Sequence, residues 1–193
     1  MNKTEKKVKE VRLREVRAIE DEAQERMIIE GYAIVFDEPT DIGFIEIIER
    51  GALDDCDMSD VCLKYNHEDT YLIMARTRNR SLQLQIDDHG LKVYAELIDT
   101  SSNRDVYKSI RAGLLDKMSF AFIVSDANWD TIDGEDVRRI TGISKLFDVS
   151  VVDVPAYDQT EVYARSKEVV EKEQAEYHKL KLEKEKLLLL MKL

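Results

Sequence analysis

Ser119, His67 and Asp148 are the residues whose types and settings could do covalent chemistry in this chain. Ser119 opens the lighter face of an apolar stretch, "KMSFAFIV", in which Met118, Phe120, Phe122 and Val124 alternate with Ser119, Ala121 and Ile123. A buried hydroxyl needs a hydrogen-bond partner. The backbone could supply it, or a base that would turn the hydroxyl into a nucleophile. Bases are scarce, because the histidines are only His67, His89 and His178. His89 lies in the turn-like "DDHG" and reads as an exposed turn residue. His178 lies in a charged C-terminal segment and reads as solvated. His67 ends "DVCLKYNHE", where the alternation Val61, Leu63, Tyr65 would carry it along the same face to the strand's end. A side chain leaving a packed face is well placed for a site, and a satisfied structural histidine is the alternative. Asp148 in "KLFDVSVVDV" has Leu146, Ser150, Val152 and Val154 on its own face and Phe147, Val149 and Val151 on the other. A half-buried carboxylate needs a donor, which an imidazole, Arg138, Arg139 or a backbone amide could provide. A histidine can take the proton from a serine while a carboxylate holds the imidazole and stabilises its charged form. Spacing along the chain leaves open whether the three meet.

The elements that must position them are mostly strands. "RMIIEGYAIVFDE" reads as one strand or two joined at Gly31, and "FIEIIERGAL" as a strand followed by a turn at Gly51. "SLQLQIDDHGLKVYAELI" is the clearest hairpin. "TSSNRDVYKSIRAG" predicts a helix, with Ser102 as the cap, Asp105 as its capping-box partner, Gly113 as the stop, and Tyr107, Ile110 and Leu114 on one face. The serine strand follows, then a "DTIDGED" turn, "VRRITGI" and "KLFDVSVVDV", which Pro155 closes. Many short strands with turn signals predict a barrel or closed sheet, mostly antiparallel. Three regions are expected: a charged extension over 1–25, a domain over 26–165, and a charged helix over 166–193. In the extension, "VKEVRLREVRAI" could be an edge strand or a helix, because Val11, Leu13 and Val16 fit no single period.

The 193 residues carry a formal charge of −11, with 44% hydrophobic and 36% charged residues. One domain with polar ends suits these values, and the acidic balance argues against nucleic acid as a partner. Cys56 and Cys62 have no Cys or His cluster beside them and read as free thiols. The N-terminus lacks the apolar core of a signal peptide, and no run has the length of a membrane span. A reducing cytoplasm is the expected setting, with no membrane partner.

Taken in order, "GYAIVFDE", "FIEIIERGAL", "YNHED", "LQIDDHGLKVYAEL", "VYKSIRAGLLDKMSFAF" and "LFDVSVVDVPAYDQTEVYAR" resemble the prohead (capsid maturation) proteases of tailed phages. That family is distantly related to the herpesvirus capsid protease. The resemblance implies a mainly β, α+β fold of the herpesvirus-protease type: a closed or nearly closed antiparallel barrel with an extended C-terminal helix. It implies a serine endopeptidase with Ser119 as nucleophile and His67 as general base. Asp148 falls where the family commonly has Glu before Val-Ser, so a triad through this shorter side chain must close up or use a water. No metal or organic cofactor is implied. The implied substrates are the scaffold-like segment of the major capsid protein and the chain itself, inside the assembling procapsid in the host cytoplasm. Backbone amides near the serine strand or in "VDVPAY" are candidates for the oxyanion hole, with Arg138 and Arg139 as helpers. The C-terminal helix, with Val169, Leu180, Leu187 and Leu190 on one face, is either solvated or pairs with its like or with a capsid component. The competing readings are a scaffolding protein of the same fold whose triad no longer works, and an acidic binding module unrelated to capsids.

Overall fold

Period-two alternation over most of the chain produces strands, and the computed structural model describes them within residues 10–21, 26–69, 72–153 and 161–191. The strands are β1 (Glu10–Asp21), β2 (Arg26–Val35), β3 (Thr40–Asp41), β4 (Ile45–Ile48), β5 (Cys62–Tyr65), β6 (Ala75–Arg76), β7 (Leu82–Ile86) and β8 (Gly90–Leu97), then β9 (Lys117–Ile132) and β10 (Glu135–Val152). Helix α1 (Ser101–Arg111) joins β8 to β9, and α2 (Glu161–Leu190) follows β10.

"VRRITGI" and "KLFDVSVVDV" form one strand rather than two. The antiparallel ladder of β10 with β9 slips in register between Ile140 and Asp148, so the long hairpin bends without breaking. Its turn uses Asp133 and Gly134, both at positive φ (53° and 88°), the backbone that an Asp-Gly pair favours.

The sheet is open, not a closed barrel. Its ladder runs β3-β4-β10-β9-β1-β2-β8-β7, with β5 on β10 and β6 on β5. Closure would need a ladder from β7 to β3 or β6, and none forms among the described residues. The free side of β10 is not lined by one long strand. That side is instead divided between two short strands: β4 beside Val137–Ile140 and β5 beside Asp148–Val151. Both pairings are parallel, within a sheet that is otherwise antiparallel as expected. Beyond them, among the described residues, lie only the two-residue strands β3 and β6.

β1 explains its own broken period. Residues 10–15 pair with β9, and residues 16–21 pair with β2. The phase slip between Leu13 and Val16 coincides with the change of partner, so β1 is a corner at which the chain passes from one pleated surface to another. Residues that the sequence suggested as an extension thus join the sheet as neither helix nor simple edge.

The core lies inside this bend. Ile29, Ile34, Leu91, Val93, Met118, Phe120, Phe122, Val149 and Val151 are fully buried there. Helix α1 covers one end with Val106, Tyr107 and Ile110, and the Tyr107 hydroxyl donates to the Ile19 carbonyl at 2.8 Å. Its cap is Thr100, not Ser102: the Thr100 hydroxyl accepts from the Asn103 amide at 3.2 Å. Gly113, at φ 69°, turns the chain after the helix, so Leu114 is exposed and Leu115 takes the buried place.

Helix α2 starts before the expected boundary at 166 and docks on the far part of the β9–β10 hairpin. Val170 is buried, and Glu173, Gln174, Tyr177, His178 and Lys181 follow at helical spacing. Glu173 accepts from the fully buried Arg138 at 2.9 Å, while Arg138 also donates to buried Glu46 at 3.1 Å. Gln174 and His178 both reach Asp136, and the Tyr177 hydroxyl lies 3.0 Å from that of Thr131. His178 is therefore a docking residue rather than a merely solvated one. Leu180, Leu187 and Leu190, placed on one face by the sequence, are exposed.

Candidate active site

The site is built where β9, β10 and β5 lie side by side. Ser119 on β9 is directly opposite Ser150 on β10, and Ser150 is opposite Lys64 on β5. Asp148 lies two residues before Ser150 and opposite Cys62. Cross-strand partners share a face, so Ser119, Ala121, Asp148, Ser150, Cys62 and Lys64 line one side of the sheet. Met118, Phe120, Val149, Val151, Leu63 and Tyr65 line the other. Ser119, Asp148 and Ser150 are fully buried.

Strand alternation would have put His67 on the Leu63 and Tyr65 side. The structure puts its ring on the opposite side, against Asp148 and Ser150. The cause is a turn: β5 stops at Tyr65, and Asn66 and His67 both adopt left-handed backbone, with φ of 51° and 56°. The Glu68 amide donates to the Tyr65 carbonyl at 3.0 Å, closing a turn of the I′ kind. Asparagine tolerates this backbone better than most residues. Asn66 also anchors the turn to β10. Its amide donates to the Val151 carbonyl at 2.9 Å, and its side-chain oxygen accepts from the Asp153 amide at 3.1 Å.

His67 Nδ1 is hydrogen-bonded directly to Asp148 Oδ1, so the shorter acid needs no bridging water. Ser150 Oγ joins the same contact, 2.9 Å from Asp148 Oδ1 and 3.1 Å from His67 Nδ1. An ionised carboxylate can only accept. Nδ1 therefore carries the proton, and Ser150 donates to Asp148 while its oxygen faces the Nδ1–H. In the neutral form of the ring, that tautomer makes Nε2 the acceptor nitrogen. His67 Nε2 and Ser119 Oγ are both buried, and neither has a hydrogen-bond partner among the described residues. The structure thus brings His67 and Asp148 into contact and sets Ser119 one strand away, with no bond between Ser119 and His67.

Lys64 and Cys62 are the titratable neighbours of Asp148 on β5. Burial opposes the charge on Lys64, but its bond to Asp69 and the nearby Asp148 carboxylate outweigh that, and its pKa is raised. Burial pushes the Cys62 thiol up, and Asp148 adds to the effect. Cys56 and Cys62 are free thiols, and burial pushes Cys56 up to about 11. Among the described residues no group of His, Cys, Asp and Glu is arranged to hold a metal ion.

Arg138 and Arg139, suggested as helpers, are engaged elsewhere: Arg138 with Glu46 and Glu173, and Arg139 with Glu49 at 3.3 Å. In the ladder Arg138 is opposite Trp129, far along β9 from Ser119. Most of the "VDVPAY" stretch lies outside the described residues. Two contributors were not singled out from sequence. Ser150 was visible on the face of Asp148 through alternation alone. Asn66 had a signal in its type, an asparagine at the end of an apolar strand.

The architecture is shared with a solved capsid assembly protease. The gp21 protease of bacteriophage T4 aligns with a TM-score of 0.53 at 12% identity, over 77% of this chain and 99% of that one. At that identity the likeness speaks to fold alone. The chain belongs to the caudovirus prohead serine protease family, whose model matches residues 10–175. It is thus a member of a serine-protease family. No curated protein matches the chain. Among the described residues no helix is long and apolar enough to cross a membrane.

Proposed function

We propose that this protein is an endopeptidase that removes the scaffold segment of the major capsid protein, and cuts itself, inside the assembling procapsid in the host cytoplasm. Its catalytic residues in this reading are Ser119, His67 and Asp148. The protease unit is the 26–165 region together with β1. The observation that carries the reading is the His67–Asp148 contact, made on the side of the sheet that also carries the buried, unbonded Ser119 hydroxyl. An orphaned buried hydroxyl and an orphaned buried imidazole nitrogen each cost stability unless function needs them.

The reaction is acyl transfer. Ser119 Oγ attacks the peptide carbonyl as His67 Nε2 takes its proton. The imidazolium that forms is held by the buried Asp148 carboxylate. His67 then protonates the leaving amine. Water, deprotonated by the same nitrogen, releases the acyl group. Backbone amides near Ser119 are the proposed donors to the oxyanion; losing one such donor typically costs about 100- to 1000-fold in rate. The exposed apolar end of α2, Leu187 to Met191, is the proposed site of self-association.

The test is to express the chain alone and with its capsid protein, as wild type and as Ser119→Ala, and to compare products by mass spectrometry. Cleavage is expected in wild type only. Equal products from both would remove Ser119 as nucleophile. No cleavage by a folded wild type would favour the scaffolding reading, which the missing Ser119–His67 bond also supports.

A further inference from the structure

The hydroxyl of Ser150 touches both members of the acid–base pair and has no part in acyl transfer as written above. We propose that Ser150 is a positioning residue that holds the Asp148 carboxylate and the His67 ring in register, so that Nε2 faces Ser119. The proposal rests on the triad reading and adds a residue to it.

The geometry argues for a specific role. Ser150 is fully buried and lies opposite Ser119, between the nucleophile strand and the strand that carries the base. Its Oγ is 2.9 Å from Asp148 Oδ1 and 3.1 Å from His67 Nδ1. With its proton committed to the carboxylate, only the oxygen lone pairs face the imidazole. A ring turned to present a bare nitrogen at that place would meet two acceptors, Ser150 Oγ and Asp148 Oδ1. The Nδ1–H tautomer meets them favourably. Ser150 therefore penalises the wrong tautomer and the flipped ring together. It also takes up one lone pair of Oδ1, which limits rotation of a short side chain that has little reach to spare. The hydroxyl draws carboxylate charge away from the ring, as a hydrogen-bond donor to an anion does. Lys64 on β5 and Cys62 beside Asp148 are the other titratable groups facing this contact from the neighbouring strand.

The experiment follows a fluorophosphonate probe reacting with the full chain across about pH 5 to 9, the range in which a histidine titrates. Ser119 Oγ bonds to phosphorus, fluoride leaves, and His67 takes the proton. Peptide mapping identifies the labelled residue. Ser150→Ala is expected to react about 10-fold more slowly, the scale of one hydrogen bond to a charged group. The acid limb of its pH profile is expected to move to higher pH, because more of the carboxylate charge then stabilises the imidazolium. Ser150→Thr keeps the hydroxyl and is expected to keep the wild-type limb. In an Asp148→Asn background, Ser150→Ala is expected to add little, since it acts through the carboxylate. A Ser150→Ala profile that overlays wild type, or an equal loss in both backgrounds, would overturn the positioning role while leaving the triad intact. A Ser150→Thr limb displaced like that of Ser150→Ala would do the same. Labelling of Ser119→Ala at the wild-type rate would overturn the triad reading itself, and a label mapped to Ser150 would overturn both.

Discussion

Replacing Asp148 with asparagine removes one charge and leaves the shape of the side chain almost unchanged. The carboxylate is buried, with its side chain 1% exposed, and it touches His67 directly. In the proposed mechanism, when Ser119 gives up its proton, an imidazolium forms against that carboxylate. At an effective dielectric of about 20 and roughly 4 Å between charge centres, the attraction is about 4 kcal/mol. Little of it is screened, because almost no water reaches the acid. Losing it from the transition state corresponds to a rate loss of about 1000-fold. The amide can also turn its NH2 toward His67 and favour the wrong tautomer, which adds to the loss. Rate of fluorophosphonate labelling at Ser119 measures this without a natural substrate, and thermal unfolding separates it from misfolding. With the charge gone, His67 is less basic, so the acid limb moves to lower pH, opposite to the shift expected for Ser150→Ala. Asp148→Glu keeps the charge and is expected to stay within about 10-fold of wild type. An Asp148→Asn protein that labels within about 3-fold of wild type at every pH would refute the ion-pair reasoning, since so small a loss is under 1 kcal/mol.

Further expectations concern the frame around the site. His67→Ala should stay folded, since the ring lies at a turn beyond the end of β5, yet lose labelling; an unfolded product in circular dichroism would mark it as structural. Asn66→Gly should keep the turn and most activity, whereas Asn66→Val, forced to φ 51°, should lose about 1–3 kcal/mol in urea denaturation together with activity; equal behaviour of the two would show that the left-handed turn does not aim His67. Arg138→Met leaves Glu46 buried without its arginine and should cost about 3–5 kcal/mol, with much of it recovered by adding Glu46→Leu; thermal melts of the pair read this directly. Because burial pushes Cys56 up to about 11, its thiol stays protonated at mildly alkaline pH, and stability linked to it is lost only as pH rises from 9.0 toward that value. Alkylation of native Cys56 at about pH 9 should be roughly 50-fold slower than that of an ordinary thiol, and a rate equal to that of the unfolded chain would show that burial does not govern it.

Local pattern made much of this molecule legible. Alternation located the serine strand, the Asp148 strand and the β7–β8 hairpin, and ordered motifs pointed to the family. What stayed hidden depends on the third dimension. The slip between Leu13 and Val16 looked like noise because the strand changes partners there, and partner identity is not a local property. Closure was expected from a run of short strands. Among the described residues β7 pairs with neither β3 nor β6, and which strands meet joins residues far apart in sequence. The side of the sheet that His67 faces was misread because alternation was carried through Asn66, where the backbone leaves the extended region. Ser150 stood in plain view on the face of Asp148, but a serine in a strand signals nothing until its neighbours are known. Helix α2 showed its docking stripe only once Val170, Glu173, Gln174 and Tyr177 were seen against the hairpin, because that stripe is polar.

The parallel pairing of β5 with β10 sets a timetable for synthesis. His67 and Asp148 are 81 positions apart. At about 5–20 residues per second, a ribosome needs roughly 4–16 s to travel from one to the other. Until β10 leaves the exit tunnel, the imidazole has no Asp148 carboxylate beside it and β5 has only the two-residue β6 to lie against. If the proposed triad holds, a nascent chain therefore carries Ser119 and His67 before the carboxylate that orients the ring. In the proposed triad the acid is therefore the last of the three residues to be made, after His67 and Ser119.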